Sequence, residues 1–154
     1  MRWLTRTVLA TSILLLPMFP GHAEATAGKD LPCRQWHALL RKHDLPVPLF
    51  SRIMFRESRC QPKAIGWNYK RGKSHRDCKL SPAETYKKCK AISSYDSGLL
   101  QINSSWSSVT TSVCHSKRYD LTVLLNPDCN LAVASFLFHQ PGGVSNWRAT
   151  SGSE

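Results

Sequence analysis

The sequence has few acidic residues and, beyond its first 19 positions, no long apolar run. Ten aspartates and glutamates stand against 21 lysines and arginines, which gives a formal net charge of +11. Without further apolar runs the chain is not a protein with several membrane-spanning helices. It also lacks internal repeats and low-complexity tracts, which excludes a repeat array. The excess of positive charge predicts attraction to anionic polymers or surfaces.

The N-terminus carries the only apolar run. Basic residues open the chain, an apolar run covers residues 7–19, and Ala23-Glu24-Ala25 follows. This arrangement is typical of a secretory signal peptide. An uncleaved membrane anchor is disfavoured because the run is short and Pro17 interrupts it. We therefore predict a signal peptide over residues 1–25 and one domain over residues 26–154, secreted to the extracellular or periplasmic space, where nucleic acid is not an expected partner.

Six cysteines lie in the predicted mature domain: Cys33, Cys60, Cys78, Cys89, Cys114 and Cys129. An even number in a small exported domain predicts three disulfides, although six cysteines allow 15 pairings. Cys78 with Cys89 is the pair that we expect, because the two bracket one polar segment. A zinc site formed by these two cysteines and His75 is the alternative, but its spacing fits no standard zinc finger.

Helix signals dominate both ends of the domain. Trp36, Leu39 and Leu40 predict a helix over 33–43, and a proline-containing first turn predicts another over about 48–60. Ser104 or Ser105 is a predicted cap for a helix that ends near Val113. Asn126 caps a further predicted helix, with Pro127 at its first position and a stop at Pro141-Gly142-Gly143.

The middle of the domain is predicted to be irregular and partly extended. Residues 64–92 are polar and basic and predict short turns or irregular strands. Residues 99–103 alternate, so that on a strand Gln101 and Asn103 face one way while Leu100 and Ile102 face the other. Such a strand suits one wall of a groove for a hydroxyl- and amide-rich ligand, although an ordinary edge strand has the same pattern. The predicted fold class is α+β, mostly α.

Glu57 occupies an unexpected position on the second predicted helix. At about 100° per residue it falls within the arc of Leu49, Phe50, Ile53 and Met54, which should pack on the core. The arginines of this helix cluster on its far side. Burying a lone carboxylate is costly, and the usual response is to retain the proton. A protonated carboxylic acid in a cleft is what general-acid cleavage of a glycosidic bond requires; a purely structural glutamate is the alternative.

Three stretches together resemble the lysozyme-like superfamily. They are RIMFRESRCQPKAIGWN at 52–68, SYDSGLLQINSSW at 94–106, and LLNPDCNLAVASFLF at 124–138 followed by GGVSNWRAT at 142–150. The likeness is greatest to the small lytic transglycosylases that accompany bacterial secretion and conjugation machines. It covers about residues 47–150 and implies a lysozyme-like fold with a small β region beside the groove. It also implies peptidoglycan glycan strands as substrate, with no metal or organic cofactor.

The resemblance assigns roles to individual residues. It matches Glu57 to the catalytic acid and Ser58 to a residue that helps to hold it. Gly98 matches a turn that lets the chain approach the sugar, and Gln101 and Asn103 match groove residues that contact substrate or orient the acid.

Aromatic residues complete the predicted groove. The family has a late tyrosine that supports the acid, and this sequence shows none at the matching place. Either another residue, for which Tyr95 is the candidate, takes that role, or the acid is placed less well and activity is low. Trp67 is the tryptophan that we expect to stack on sugar, while Trp106 and Trp147 are expected to be mainly structural.

Asp96 bears on whether the enzyme is a hydrolase or a lytic transglycosylase. Both reactions cut the β-1,4 bond between N-acetylmuramic acid and N-acetylglucosamine, but a retaining hydrolase needs a second carboxylate across the bond. Asp96 stands where lysozymes place that group, yet the related transglycosylases carry an aspartate there too. A structural role is the alternative, in which Asp96 accepts hydrogen bonds from backbone amides in the turn before Gly98. The resemblance favours a lytic transglycosylase, with a lysozyme-type hydrolase as the alternative.

A non-catalytic protein is a further alternative. Such a protein would bind the anionic cell wall through the basic stretch 63–90, which is also a simple solvated surface in many proteins. We expect a monomer, and the resemblance adds a secretion or conjugation apparatus as a further partner.

Overall fold

The computed structural model describes residues 31–78, 89–117 and 120–147 of the 154-residue chain. The predicted signal peptide lies outside the described residues. Within the described part, none of the helices has the length and apolar character that crossing a membrane requires.

Four α-helices lie in the described part of the chain. They are α1 (His37–Lys42), α2 (Val47–Ser58), α3 (Ser107–Cys114) and α4 (Pro127–Phe138). The sequence predicted each of them to within a few residues, and the proline in the first turn of α2 is confirmed. The Asn126 side chain caps α4 as predicted, by accepting hydrogen bonds from the backbone N–H groups of Asp128 and Cys129.

The start of α3 differs from the prediction. A short 3-10 helix, Ser104–Trp106, leads into α3, and its cap is Asn103 rather than a serine. The Asn103 side-chain oxygen accepts a hydrogen bond of 2.9 Å from the backbone N–H of Ser105. An asparagine is a strong cap because its short side chain reaches the unpaired amides of the first turn.

A three-stranded antiparallel sheet lies between α2 and α3 along the chain. Its strands are β1 (Ile65–Tyr69), β2 (Ile92–Ser97) and β3 (Ile102–Asn103), in the order β1-β2-β3. The strand predicted over 99–103 is wrong for its first three residues, which form a turn. Leu99 and Leu100 are both completely buried, and consecutive residues of a strand cannot both face the same core.

The core is formed mainly by α2, α4 and the turn before β3. Phe50, Ile53 and Met54 of α2 are completely buried, as are Leu131 and Val133 of α4. The Phe50 ring also packs edge-on against Phe138 and Trp147, with centroid distances of 5.1 and 5.3 Å. The α+β class with dominant helices is therefore confirmed.

Three disulfides join the described segments, as predicted. Cys33–Cys60 links the chain before α1 to the end of α2, Cys78–Cys89 closes the β1–β2 connection, and Cys114–Cys129 links α3 to α4. The predicted Cys78–Cys89 pair is confirmed, so neither cysteine is available as a thiolate for the alternative zinc site. Three disulfides are typical of proteins outside the cytoplasm.

Candidate active site

Glu57 lies in the last turn of α2 and is half-buried. The helical pattern placed it correctly, since Phe50, Ile53 and Met54 on the same side are buried and Arg52 and Arg59 on the other side are exposed. The helix ends immediately afterwards, where Arg59 and Cys60 both adopt positive φ angles. The Cys33–Cys60 disulfide and a 3.1 Å hydrogen bond from the Trp36 indole to the Cys60 carbonyl hold this end. The position of Glu57 is thus fixed by covalent and hydrogen-bonded contacts.

Glu57 opens onto a cavity of about 230 Å³. The cavity is lined by two carboxylates, three carboxamides, two indoles and two aliphatic side chains: Glu57, Asp96, Gln101, Asn103, Asn146, Trp106, Trp147, Ile102 and Leu137. These residues come from α2, β2, the β3 region, α4 and the last described 3-10 helix, Gly143–Trp147. Carboxamides can bond hydroxyl and N-acetyl groups, and indoles stack on the apolar faces of sugars.

Asp96 is held between two asparagine side chains. Its Oδ1 accepts a 2.7 Å hydrogen bond from Asn103 Nδ2, and its Oδ2 accepts one of 2.7 Å from Asn68 Nδ2. Ser94 Oγ accepts a second, longer bond from each of the same amides, at 3.1 and 3.3 Å. The predicted alternative, in which Asp96 bonds backbone amides near Gly98, differs from these side-chain contacts. Both carboxylate oxygens are oriented by the neighbouring strands.

The register of the sheet explains this arrangement. Asn68 pairs with Ser94 across β1 and β2, and Asp96 pairs with Asn103 across β2 and β3. Ser94 and Asp96 are two residues apart and therefore share a face of β2. Gly66 pairs with Asp96, and a Cβ there would lie 3.7 Å from the carboxylate. The sequence analysis missed Asn68 and Ser94. The available signal was spacing: Gly66 and Asn68 are two residues apart, as are Ser94 and Asp96, so each pair shares one face of its strand.

Gln101 lies in the turn before β3 rather than on the predicted strand. Its φ angle is 45°, in the left-handed region. The side-chain amide donates hydrogen bonds to the carbonyls of Gly98 at 2.8 Å and Ala64 at 3.2 Å. The first bond closes the turn on itself and the second ties it to the residue before β1, while the side chain also lines the cavity with Glu57. The structure therefore brings Gln101 to the cavity as predicted, by a different local geometry.

Gly98 is not one of the described residues that line the cavity of Glu57. Its φ angle is +77°, and a Cβ there would overlap the Leu124 carbonyl oxygen and the Asn130 side chain. Asn130 is completely buried and bonds the Leu100 N–H and the carbonyls of Ser97 and Leu124. The glycine is needed for approach of the turn to α4, and its predicted approach to a sugar stays a prediction.

Ser58 bonds its own helix. It is buried, and its hydroxyl donates a 3.1 Å hydrogen bond to the Met54 carbonyl. This is the common serine bond to the carbonyl one turn earlier. The predicted role in holding Glu57 is therefore replaced by a contact that completes the last turn of α2.

Trp67 and Tyr95 lie on the opposite face of the sheet from Asp96. They pair across β1 and β2, with ring centroids 6.1 Å apart. Each is one residue from Asn68 or Asp96, and neighbouring residues on a strand face opposite ways. Tyr95 is buried, and it lines a separate small cavity with Ser104, Ser107 and Thr110. Neither Trp67 nor Tyr95 is among the residues that line the cavity of Glu57, so the structure does not bring them to the positions predicted for them.

Two other tryptophans line the cavity instead. Trp106 is 38% exposed, in the 3-10 helix after β3, and is available to stack on a ligand. Trp147 is buried and donates a 3.0 Å hydrogen bond from its indole to the Leu100 carbonyl. The predicted structural role fits Trp147, whereas Trp106 takes the position that the sequence analysis assigned to Trp67.

Comparison with known proteins adds no family to this description. The chain matches no protein-family model, and no curated protein sequence matches it.

Proposed function

We propose that this protein is an exported glycosidase that cleaves the β-1,4 bond between N-acetylmuramic acid and N-acetylglucosamine in peptidoglycan. One observation carries the proposal: Glu57 and Asp96, which are 39 residues apart, line the same open cavity together with carboxamides and indoles. This is the combination of groups that glycoside cleavage uses. The three disulfides support a location outside the cytoplasm, where the wall lies.

Glu57 acts as the general acid in this proposal. It donates a proton to the glycosidic oxygen as the bond to the leaving sugar breaks. Trp147 and Leu137 form apolar parts of the same cavity wall. The disulfide and the indole hydrogen bond at Cys60 keep the end of α2 in place while the substrate binds.

Asp96 serves as the second carboxylate. Two amide donors hold its oxygens at the cavity wall, and in this proposal the carboxylate meets the sugar carbon that develops positive charge. In a retaining mechanism this group forms a covalent glycosyl intermediate, and water then releases the sugar with Glu57 as the base. The presence of Asp96 with Glu57 in one cavity supports hydrolysis, whereas the likeness of the motifs supports lytic transglycosylation as the second candidate.

Product analysis tests both outcomes. Purified mature protein is incubated with isolated sacculi, and the released fragments are analysed by mass spectrometry. Hydrolysis predicts new reducing ends throughout, while transglycosylation predicts anhydro ends on the muramic acid residues. Absence of new chain ends of either kind would overturn the proposed function.

A further inference from the structure

A basic surface extends beyond the cavity at the far end of the β1–β2 pair. We call it the basic tip and define it as residues 70–78 and 89–90. Lys70, Arg71, Arg76 and Lys90 are all exposed in it. The Cys78–Cys89 disulfide joins its two parts, and the Lys70 N–H donates a 2.8 Å hydrogen bond to the Ala91 carbonyl. These cations are thus presented together by a cross-linked structure.

Asp77, the acidic residue within residues 70–78 and 89–90, is already bonded to neighbours in the basic tip. Asp77 Oδ2 accepts a 2.8 Å hydrogen bond from the Ser74 backbone N–H, and its Oδ1 lies 3.7 Å from Lys73 Nζ. The bond from Ser74 lowers the pKa of Asp77, which keeps this carboxylate committed to its local partners. Within residues 31–78, 89–117 and 120–147, no carboxylate pairs with the four exposed cations.

The basic tip is continuous with the candidate active site. Strands β1 and β2 carry Asn68 and Asp96, and Ile92 at the tip end of β2 is four residues before Asp96. At the rise of a β-strand this separation is about 13 Å. A polymer that leaves the cavity along this end of the sheet would therefore come within reach of the cations.

We propose that the basic tip binds phosphodiester groups of the cell wall while the cavity holds the glycan strand, an inference that rests on the proposed function. Guanidinium groups such as those of Arg71 and Arg76 form paired hydrogen bonds with phosphate oxygens. The lysines add charge that attracts the same groups over a distance of about one Debye length, roughly 10 Å at 0.1 M salt. Docking through the basic tip would concentrate the enzyme on phosphate-bearing wall.

The test measures sedimentation of the protein with sacculi before and after hydrofluoric acid removes phosphodiester polymers. Glu57→Gln is introduced throughout, so that the wall stays intact during binding. The tip variant combines Lys70→Gln, Arg71→Gln, Arg76→Gln and Lys90→Gln. The control variant removes the same charge from exposed basic residues elsewhere, with Arg34→Gln, Arg41→Gln, Arg52→Gln and Lys117→Gln.

At low salt we expect the tip variant to bind intact sacculi about tenfold or more weakly, because each exposed ion pair contributes a factor of roughly 1.5 to 5. The control variant is expected to weaken binding less than about threefold. Acid extraction of the sacculi should weaken binding of the protein with an unchanged basic tip. The loss should be as large as the loss that the tip variant shows on intact sacculi. Equal weakening by the two variants would overturn the proposal, as would equal binding before and after extraction. Failure of the proposed function would instead appear as missing chain ends in the product analysis.

Discussion

At the scale of single residues, the position of Glu57 was predictable and the support for Asp96 was not. Glu57 is identified by helical periodicity, which is a local property of residues 47–58. Asn68 reaches Asp96 from 28 positions away, and that contact depends on strand register. The motif resemblance found Asp96, Gln101 and Asn103, but register alone decides that Trp67 faces away.

Asn68→Ala tests the positioning of Asp96. Loss of the Asn68 amide leaves only Asn103 to orient the carboxylate, so we expect kcat to fall about 10- to 100-fold. KM should change less than about threefold, because the binding groups of the cavity remain. Steady-state kinetics on a soluble glycan oligomer measures both constants. An unchanged kcat would contradict the assigned role of Asn68.

Gly98→Ala tests the close approach of the turn to α4. The variant adds a Cβ against backbone and a buried asparagine at a positive φ angle, so we expect a loss of about 3 kcal/mol or more in the free energy of unfolding. Gly72→Ala is the matched control, because its φ is +75° but no atom lies within 4 Å of the added Cβ. It should cost only about 1 to 2 kcal/mol, which is the cost of the left-handed backbone alone. Equal losses in denaturant titrations would contradict the packing argument.

At the scale of elements, capping and periodicity predicted the helices well, while the strand at 99–103 was wrong. The alternation of apolar and polar residues there has the period of a strand, but Leu99 and Leu100 both enter the core. Asn130 compensates by bonding the Leu100 N–H within the turn. A buried side chain on a helix 30 residues away thus replaces the strand partner, and local sequence carries no sign of it.

Contact between α1 and α4 predicts a small pH dependence of stability. Asp128 Oδ1 lies 2.6 Å from Lys42 Nζ and 2.9 Å from His43 Nε2. The hydrogen bond from Lys42, followed by that from His43, holds the pKa of Asp128 below its ordinary value of 3.8. Because the folded pKa is lowered, the stabilisation is present above pH 3.8 and is lost as the pH falls through the folded pKa.

Asp128→Asn measures this contribution. At pH 6 the variant should lose less than about 1 kcal/mol, since the pair is solvent-exposed and screened. The difference from the unmodified protein should shrink as the pH falls below 3.8. Thermal unfolding at several pH values checks this, and a difference that grows in acid would contradict the sign of the effect.

At the scale of the whole molecule, the disulfides join the helices to the site. The number of bridges followed from the cysteine count, but only the pair bracketing the polar segment was predictable. Cys33–Cys60 spans 27 positions and ends three residues after Glu57, whereas Cys114–Cys129 spans 15 and lies on α3 and α4. The first bridge therefore has a positional role that the second lacks.

Replacing each pair by serine separates stability from site geometry. Loop-closure entropy predicts losses of about 3.5 kcal/mol for Cys33–Cys60 and about 3 kcal/mol for Cys114–Cys129. Measured well below each melting temperature, wall cleavage per folded molecule should fall only for the first pair, because the end of α2 is released. Equal cleavage by the two variants would contradict the positional role.

The central claim is that Glu57 supplies the proton for glycan cleavage. Its most direct test is the rate at which new glycan chain ends appear when isolated sacculi are treated with Glu57→Gln. Asp44→Asn is the matched control, an equal carboxylate-to-amide change at an exposed position outside the cavity. We predict that Glu57→Gln lowers the rate by at least about 1,000-fold while Asp44→Asn leaves it unchanged. Cleavage by Glu57→Gln at the rate of the unmodified protein would contradict the account.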